Sequence, residues 1–249
     1  YGHIVRQRAI MTELIKLEPM AFTLQTSKHL VFAEENMPAT HFMDRYNNIS
    51  WHKRVDSSPD IERIQEHCEQ YLEKIPAFIQ REQADFNYDF VLSDFVYEAF
   101  EVAKNRNVPS FGVAHFTWDW FFSKIYPRVM SDALFQYFTQ AARQARKLYF
   151  PPFTPPEILK YYQKSAVEVP LIVRDDVAHK TWPIADRLKI LVMDSGAGLM
   201  ANYIKSALSG NLPQEWVFGV QEELDFSGDS FFNIPSNHLL IDYVQDADL

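Results

Sequence analysis

A chain of 249 residues with 47% apolar and 15% aromatic side chains is too rich in core-forming residues to stay disordered, and it is long enough for one large domain or two small ones. Its net charge of −9 opposes a large nucleic-acid footprint, which needs a basic stripe, and the local run Arg143, Arg146 and Lys147 reads as the solvated side of a helix. No apolar run approaches the roughly 18 residues of a membrane span, no signal peptide is visible, and the lone Cys68 excludes an internal disulfide, so a cytoplasmic address is the simplest expectation.

Ile4, Val5, Ile10, Met11, Leu14, Ile15 and Leu17 recur at helical spacing, and Pro19 ends that helix. Met20 to Thr26 reads as a short strand. Residues 27–57 show no sustained period and read as a long excursion over a sheet edge or a site. Ser58 as N-cap and Pro59 at the first position then announce a helix, with Asp60 and Glu62 in its first turn. Ile61, Ile64, Cys68, Tyr71, Leu72, Ile75, Phe78 and Ile79 give it an apolar stripe, which suits Cys68 to packing, and Pro76 is expected to kink it.

The strongest local signal follows. Tyr88–Ser93 is a short apolar run ending in Ser93–Asp94, and residues 95–107 carry helical spacing. Ser110–Ala114 restarts as a strand that His115–Trp120 closes. Two buried strands joined by about three helical turns imply a parallel pair with a right-handed crossover. Residues 121–150 read as further helix, with Leu134, Phe138, Ala141, Ala142 and Ala145 on one face. Residues 151–183 hold six of the 14 prolines and one strand-like run, Leu171–Arg174, so they read as an interdomain connection. Leu188–Met193 is a buried strand, Asp194–Gly198 a tight loop and Leu199–Leu208 a helix. Glu215–Val220, Phe231–Ile234 and a helical piece from Leu239 complete a second unit. The expectation is α/β, with two Rossmann-like units joined near residue 180.

In such sheets ligands sit beyond the carboxyl ends of the strands, and three loops there could carry chemistry. Tyr1-Gly2-His3 precedes a helix; His3 could be a general base, with Gly2 allowing close approach of a ligand, or the segment is simply a frayed end. Asp94 could orient a histidine or cap the next helix through its free N–H groups. Asp194-Ser195-Gly196-Ala197-Gly198 could present N–H groups to a phosphate, although it has neither the full G-x-G-x-x-G pattern nor a P-loop lysine. Trp118 and Trp120 could stack on a sugar or another flat acceptor, or pack into the core. His29, His41, His52 and His67 lack the spacing and partners of a metal-ligand set, so no metal is expected.

Taken together, "GHIVRQRAI" resembles the G-H-x-x-R loop and first helix of GT-B glycosyltransferases. "YDFVLSDFVYEAFEVAKNRNVPSFGVAHFTWDWFF" is similar to a block found in their bacterial UDP-glycosyltransferase-like branch, which also supplies the N-terminal half of arabinokinase-type proteins. "LYFPPFTPPE", "EVPLIVRD", "LKILVMDSGAGL" and "LLIDYVQDADL" follow in that family's order, with "DSGAG" standing where the family has S-F-G-G. The resemblance implies transfer of a sugar from a nucleotide-diphosphate donor to a small-molecule or glycan acceptor, with no further cofactor. His3 would be the base and Asp94 its partner. Gly2, Arg6, Trp118 and Asp119 would contact substrate, and Ser195, Gly196, Ala197 and Gly198 the donor. It further implies an acceptor-binding domain over 1–180 and part of a donor domain over 181–249, the family's first strand and the end of its C-terminal domain lying outside this sequence. Two alternatives stand beside transfer: a non-catalytic binding or scaffold domain, and a GT-B sugar-nucleotide epimerase.

Overall fold

The computed structural model describes residues 2–26, 34, 37–38, 41–44, 54, 58–172, 180–183, 186–192, 214–221, 229–235, 243 and 247. The chain divides into two compact units, Tyr1–Arg174 and Asp175–Leu249.

The first unit opens with helix α1 (Gly2–Leu17), followed by the parallel strands β1 (Thr23–Gln25) and β2 (His41–Met43). The helix starts before the apolar spacing does, so His3 lies in its first turn and not in a preceding loop. Strand β2 falls inside the stretch read as an excursion over a sheet edge or a site; most of the rest of that stretch is outside the described residues. Helix α2 (Ile61–Ala84) starts two residues later than its sequence signals suggest. Its N-cap is Asp60, whose carboxylate accepts from the Arg63 N–H at 3.3 Å, and the helix continues through Pro76 without a break.

Next come β3 (Val91–Ser93), helix α3 (Tyr97–Asn105) and β4 (Ser110–Val113), with β3 and β4 parallel as the sequence predicts. His115–Trp120 does not close the strand. Helix α4 (Trp118–Ile125) begins there, so Trp118, Asp119 and Trp120 share its first turn. Helix α5 (Asp132–Ala142) carries the predicted face, and Lys147–Phe150, read as its continuation, is strand β5. Lys147 is exposed while Leu148 and Phe150 are buried, the alternation of a half-covered strand. The proline-rich stretch then supplies helix α6 (Pro156–Tyr161) and strand β6 (Ala166–Glu168), which pairs with β5 and so belongs to the sheet of the first unit that holds β3 and β4. Leu171 and Ile172 carry no strand.

The four-stranded sheet thus runs β3-β4-β5-β6, all parallel. Its core is aromatic. Tyr97 stacks on Phe138 with ring centroids 4.1 Å apart, and α2 contributes Ile64, Cys68, Tyr71 and Ile75 from the predicted stripe. Cys68 is buried, and desolvation, with Glu69 adding to it, pushes its thiol up to about 12. Glu98 is fully enclosed in this core and accepts from the Tyr71 hydroxyl at 2.6 Å.

In the second unit β7 (Leu188–Leu191), β8 (Trp216–Gln221) and β9 (Phe231–Ile234) form a parallel sheet in that order. Both faces are apolar, as an all-parallel sheet requires: Val192, Phe218 and Val220 pack on one side, Trp182, Val217, Ile234 and Tyr243 on the other. Gly219 lets the Trp182 ring lie against β8; a Cβ there would collide with the far edge of the indole. The Ser195–Gly198 loop, the helix read over 199–208 and the piece from Leu239, Tyr243 excepted, lie outside the described residues.

Candidate functional site at the carboxyl end of the third strand

Strand β3 ends at Ser93, whose hydroxyl accepts from the Val96 N–H at 2.9 Å and donates to the Val96 carbonyl at 3.0 Å. This ties a tight loop in which Phe95 takes a left-handed conformation (φ 55°), uncommon for a residue with a Cβ. Its ring is buried beside Tyr97, Phe100 and Phe150, which holds the strained residue in place. Asp94, one residue earlier, is thereby presented beyond the strand end.

Asp94 does not cap α3. The N-cap of that helix is Val96, with no side-chain cap bond. Its carboxylate instead reaches α1. Arg6 donates from Nε to Oδ2 at 3.1 Å and from Nη2 to Oδ1 at 2.6 Å and Oδ2 at 2.7 Å, a forked charge-assisted pair. Gln7 Nε2 reaches Oδ2 at 3.4 Å. His3 Nδ1 lies 2.9 Å from Oδ1 and 3.3 Å from Arg6 Nη2. His3 and Arg6 are three residues apart on α1 and therefore share a face. The side chains of Arg6 and Asp94 are 13% and 11% exposed, whereas that of His3 is 66% exposed. A positioned carboxylate thus lies behind an imidazole that solvent, or a substrate, can reach.

The sequence placed Arg6 among substrate-contacting residues. Here its guanidinium holds Asp94. That partnership was not read from the sequence, where no local pattern marks it. Gly2 opens α1. Trp118 is partly buried, its ring stacked on Phe122 at 5.6 Å and edge-on to Phe116 at 5.5 Å.

Asp119 points inward. It is 4% exposed; its Oδ1 accepts from the Tyr97 hydroxyl at 2.8 Å and its Oδ2 from the Tyr162 hydroxyl at 3.1 Å. The Tyr97 hydroxyl also accepts from the Trp118 N–H at 3.0 Å and so satisfies the start of α4, where Thr117 makes no side-chain cap bond. Burial raises the Asp119 pKa, and the tyrosine donors offset part of that rise. The phenols of Tyr97 and Tyr162 are pushed up as well, first by desolvation and then by the Asp119 charge. As placed, Asp119 anchors the tryptophan-bearing helix to α3 and to the end of α6. The Ser195, Gly196, Ala197 and Gly198 expectation falls outside the described residues.

No protein-family profile matches the chain, and no curated protein is similar to it in sequence. Among the solved structures that resemble its fold are two that involve UDP-sugars. The Phytolacca americana UGT2 in complex with UDP-2-fluoro-glucose and pterostilbene superposes with a TM-score of 0.52 at 12% identity, over 94% of this chain and 69% of that one. A UDP-N-acetylglucosamine 2-epimerase superposes with a TM-score of 0.51 at 10% identity, over 99% of this chain and 70% of that one. At such identities the likeness is one of fold: an α/β, GT-B-like arrangement of Rossmann-type parallel sheets. No described helix is long and apolar enough to cross a membrane.

Proposed function

We propose that this chain is a glycosyltransferase in which His3 is the base and Asp94 its partner. The observation that carries the reading is the 2.9 Å contact between His3 Nδ1 and Asp94 at a strand's carboxyl end. With Nδ1–H donating to Asp94, the lone pair of Nε2 is free for an acceptor hydroxyl. His3 takes the hydroxyl proton as the oxygen attacks the anomeric carbon of a nucleotide-diphosphate sugar. The bond from that carbon to the diphosphate breaks, and its electron pair leaves with the nucleotide diphosphate. Asp94 favours the imidazolium that results. In this reading the first unit binds the acceptor, with Trp118 beside it. The second binds the donor through Ser195–Gly198, no cofactor is needed, and the reaction takes place in the cytoplasm. The similarity to a branch that includes arabinokinase-type proteins rests on the sequence motifs alone.

The test is release of nucleotide diphosphate from UDP-, GDP- or TDP-glucose in the presence of a phenolic or sugar acceptor. Acceptor-dependent release is expected, falling about a hundredfold or more in His3→Ala. No release with any donor, or undiminished release in His3→Ala, overturns the reading. The likeness to an epimerase over nearly the whole chain favours one competing outcome: isomerisation of UDP-N-acetylglucosamine without an acceptor, visible in its proton NMR spectrum.

A further inference from the structure

We infer that Arg6 is a positioning residue that shares Asp94 with His3 and restrains proton uptake by the imidazole. The inference rests on His3 and Asp94 acting as the base pair proposed above.

A carboxylate offers about four lone-pair sites. Arg6 engages Asp94 through three contacts of 2.6, 2.7 and 3.1 Å, and Gln7 approaches the remaining side at 3.4 Å. His3 therefore meets an oxygen, Oδ1, that already accepts from Arg6 Nη2. The same Nη2 stands 3.3 Å from His3 Nδ1, which places a permanent cation beside the ring nitrogen that faces Asp94. Among the described residues, the two charged groups that contact His3 are thus opposite in sign and bound to each other. Asp94 alone would draw a proton onto the imidazole, and a protonated imidazole cannot act as a base. Arg6 offsets that pull while its fork fixes the orientation of the carboxylate. Asp94 thus aims His3 while Arg6 aims Asp94.

The experiment follows the ring protons of His3 by NMR through a pH titration of the full chain, the resonance being assigned by its loss in His3→Gln. In Arg6→Gln the titration midpoint moves to higher pH than in the parent. In Arg6→Lys, which keeps the charge but not the fork, it stays near the parent's. An unchanged or lowered midpoint in Arg6→Gln overturns the inference. Should Arg6→Gln fail to fold, Asp94→Asn decides: Arg6 then faces His3 without a counter-charge. Its midpoint falls below that of a histidine in a short peptide, and equality with the peptide overturns the inference. Were only the fork to matter and not the charge, Arg6→Lys would move the midpoint as far as Arg6→Gln does, which also overturns the inference. The titration needs no substrate, so a chain without transfer activity refutes the glycosyltransferase reading while leaving this measurement interpretable.

Discussion

Asp94 and Asp119 lie beyond the ends of adjacent strands of the same sheet, yet their surroundings differ in kind. Asp94 faces a guanidinium, an amide and an exposed imidazole, while Asp119 faces two tyrosine hydroxyls inside the core. A carboxylate compensated by a cation can remain charged beside solvent and act on a neighbouring histidine. One given only neutral donors and no solvent is a structural acceptor, with its ionised form disfavoured. The partner, more than the residue type, separates the two roles.

Activity divides them most widely. On the glycosyltransferase reading proposed above, Asp94→Asn keeps the shape but removes the charge facing His3, and transfer is expected to fall about a hundredfold or more. Asp119→Asn, measured per folded molecule in the same nucleotide-release assay, is expected to stay within a few-fold of the parent. Comparable losses in both variants would erase the distinction and make Asp119 part of the reacting centre.

Stability reverses the order. Asp119→Ala leaves the buried hydroxyls of Tyr97 and Tyr162 without their acceptor, at roughly 1–3 kcal/mol for each group stranded. A loss of about 3 kcal/mol in urea unfolding is expected. Tyr162→Phe, which removes one donor and its hydrogen bond, should cost about 1 kcal/mol. If Asp119→Ala unfolds at the parent's midpoint, the tyrosine network does not hold α4.

The division between what the sequence showed and what it hid follows the same line. The β3–α3–β4 unit was readable because each element is short, buried and bounded by its own signals: an apolar run, a helical spacing, then Val108–Pro109 restarting the chain. Strand β5 was hidden because the helical spacing of Ala141, Ala142 and Ala145 runs straight into Lys147–Phe150, and β6 because prolines surround it. His3 and Asp94 were named from their motifs. Their contact spans 91 positions of chain, and no local pattern shows that Arg6 is the residue gripping Asp94. Asp119 was assigned to substrate by its place in F-T-W-D-W. Its tyrosine partners lie 22 and 43 positions away, so its inward aim depends on how α3 and α6 pack. The local clue was an acidic residue in a helix's first turn following Thr117, a helix-start signal overlooked among aromatics that suggested a strand.

The smallest effect is the pH dependence of folding that Asp119 contributes. Its folded pKa is raised above the ordinary aspartate value, mainly by burial, so the native state binds its proton more tightly than the unfolded chain does. Stability from this group is therefore greatest at low pH. It declines once pH passes the unfolded aspartate range near ~3.9 and levels off above the raised folded value. This is opposite to the contribution of a carboxylate stabilised in its charged form. Asp119→Asn removes the titration, so the parent-minus-variant difference in unfolding free energy should fall as pH rises through that window and then become flat. Urea unfolding at a series of pH values measures it directly. A difference that rises with pH would mean that the hydrogen-bond donors outweigh burial, and that Asp119 is held as a charged group.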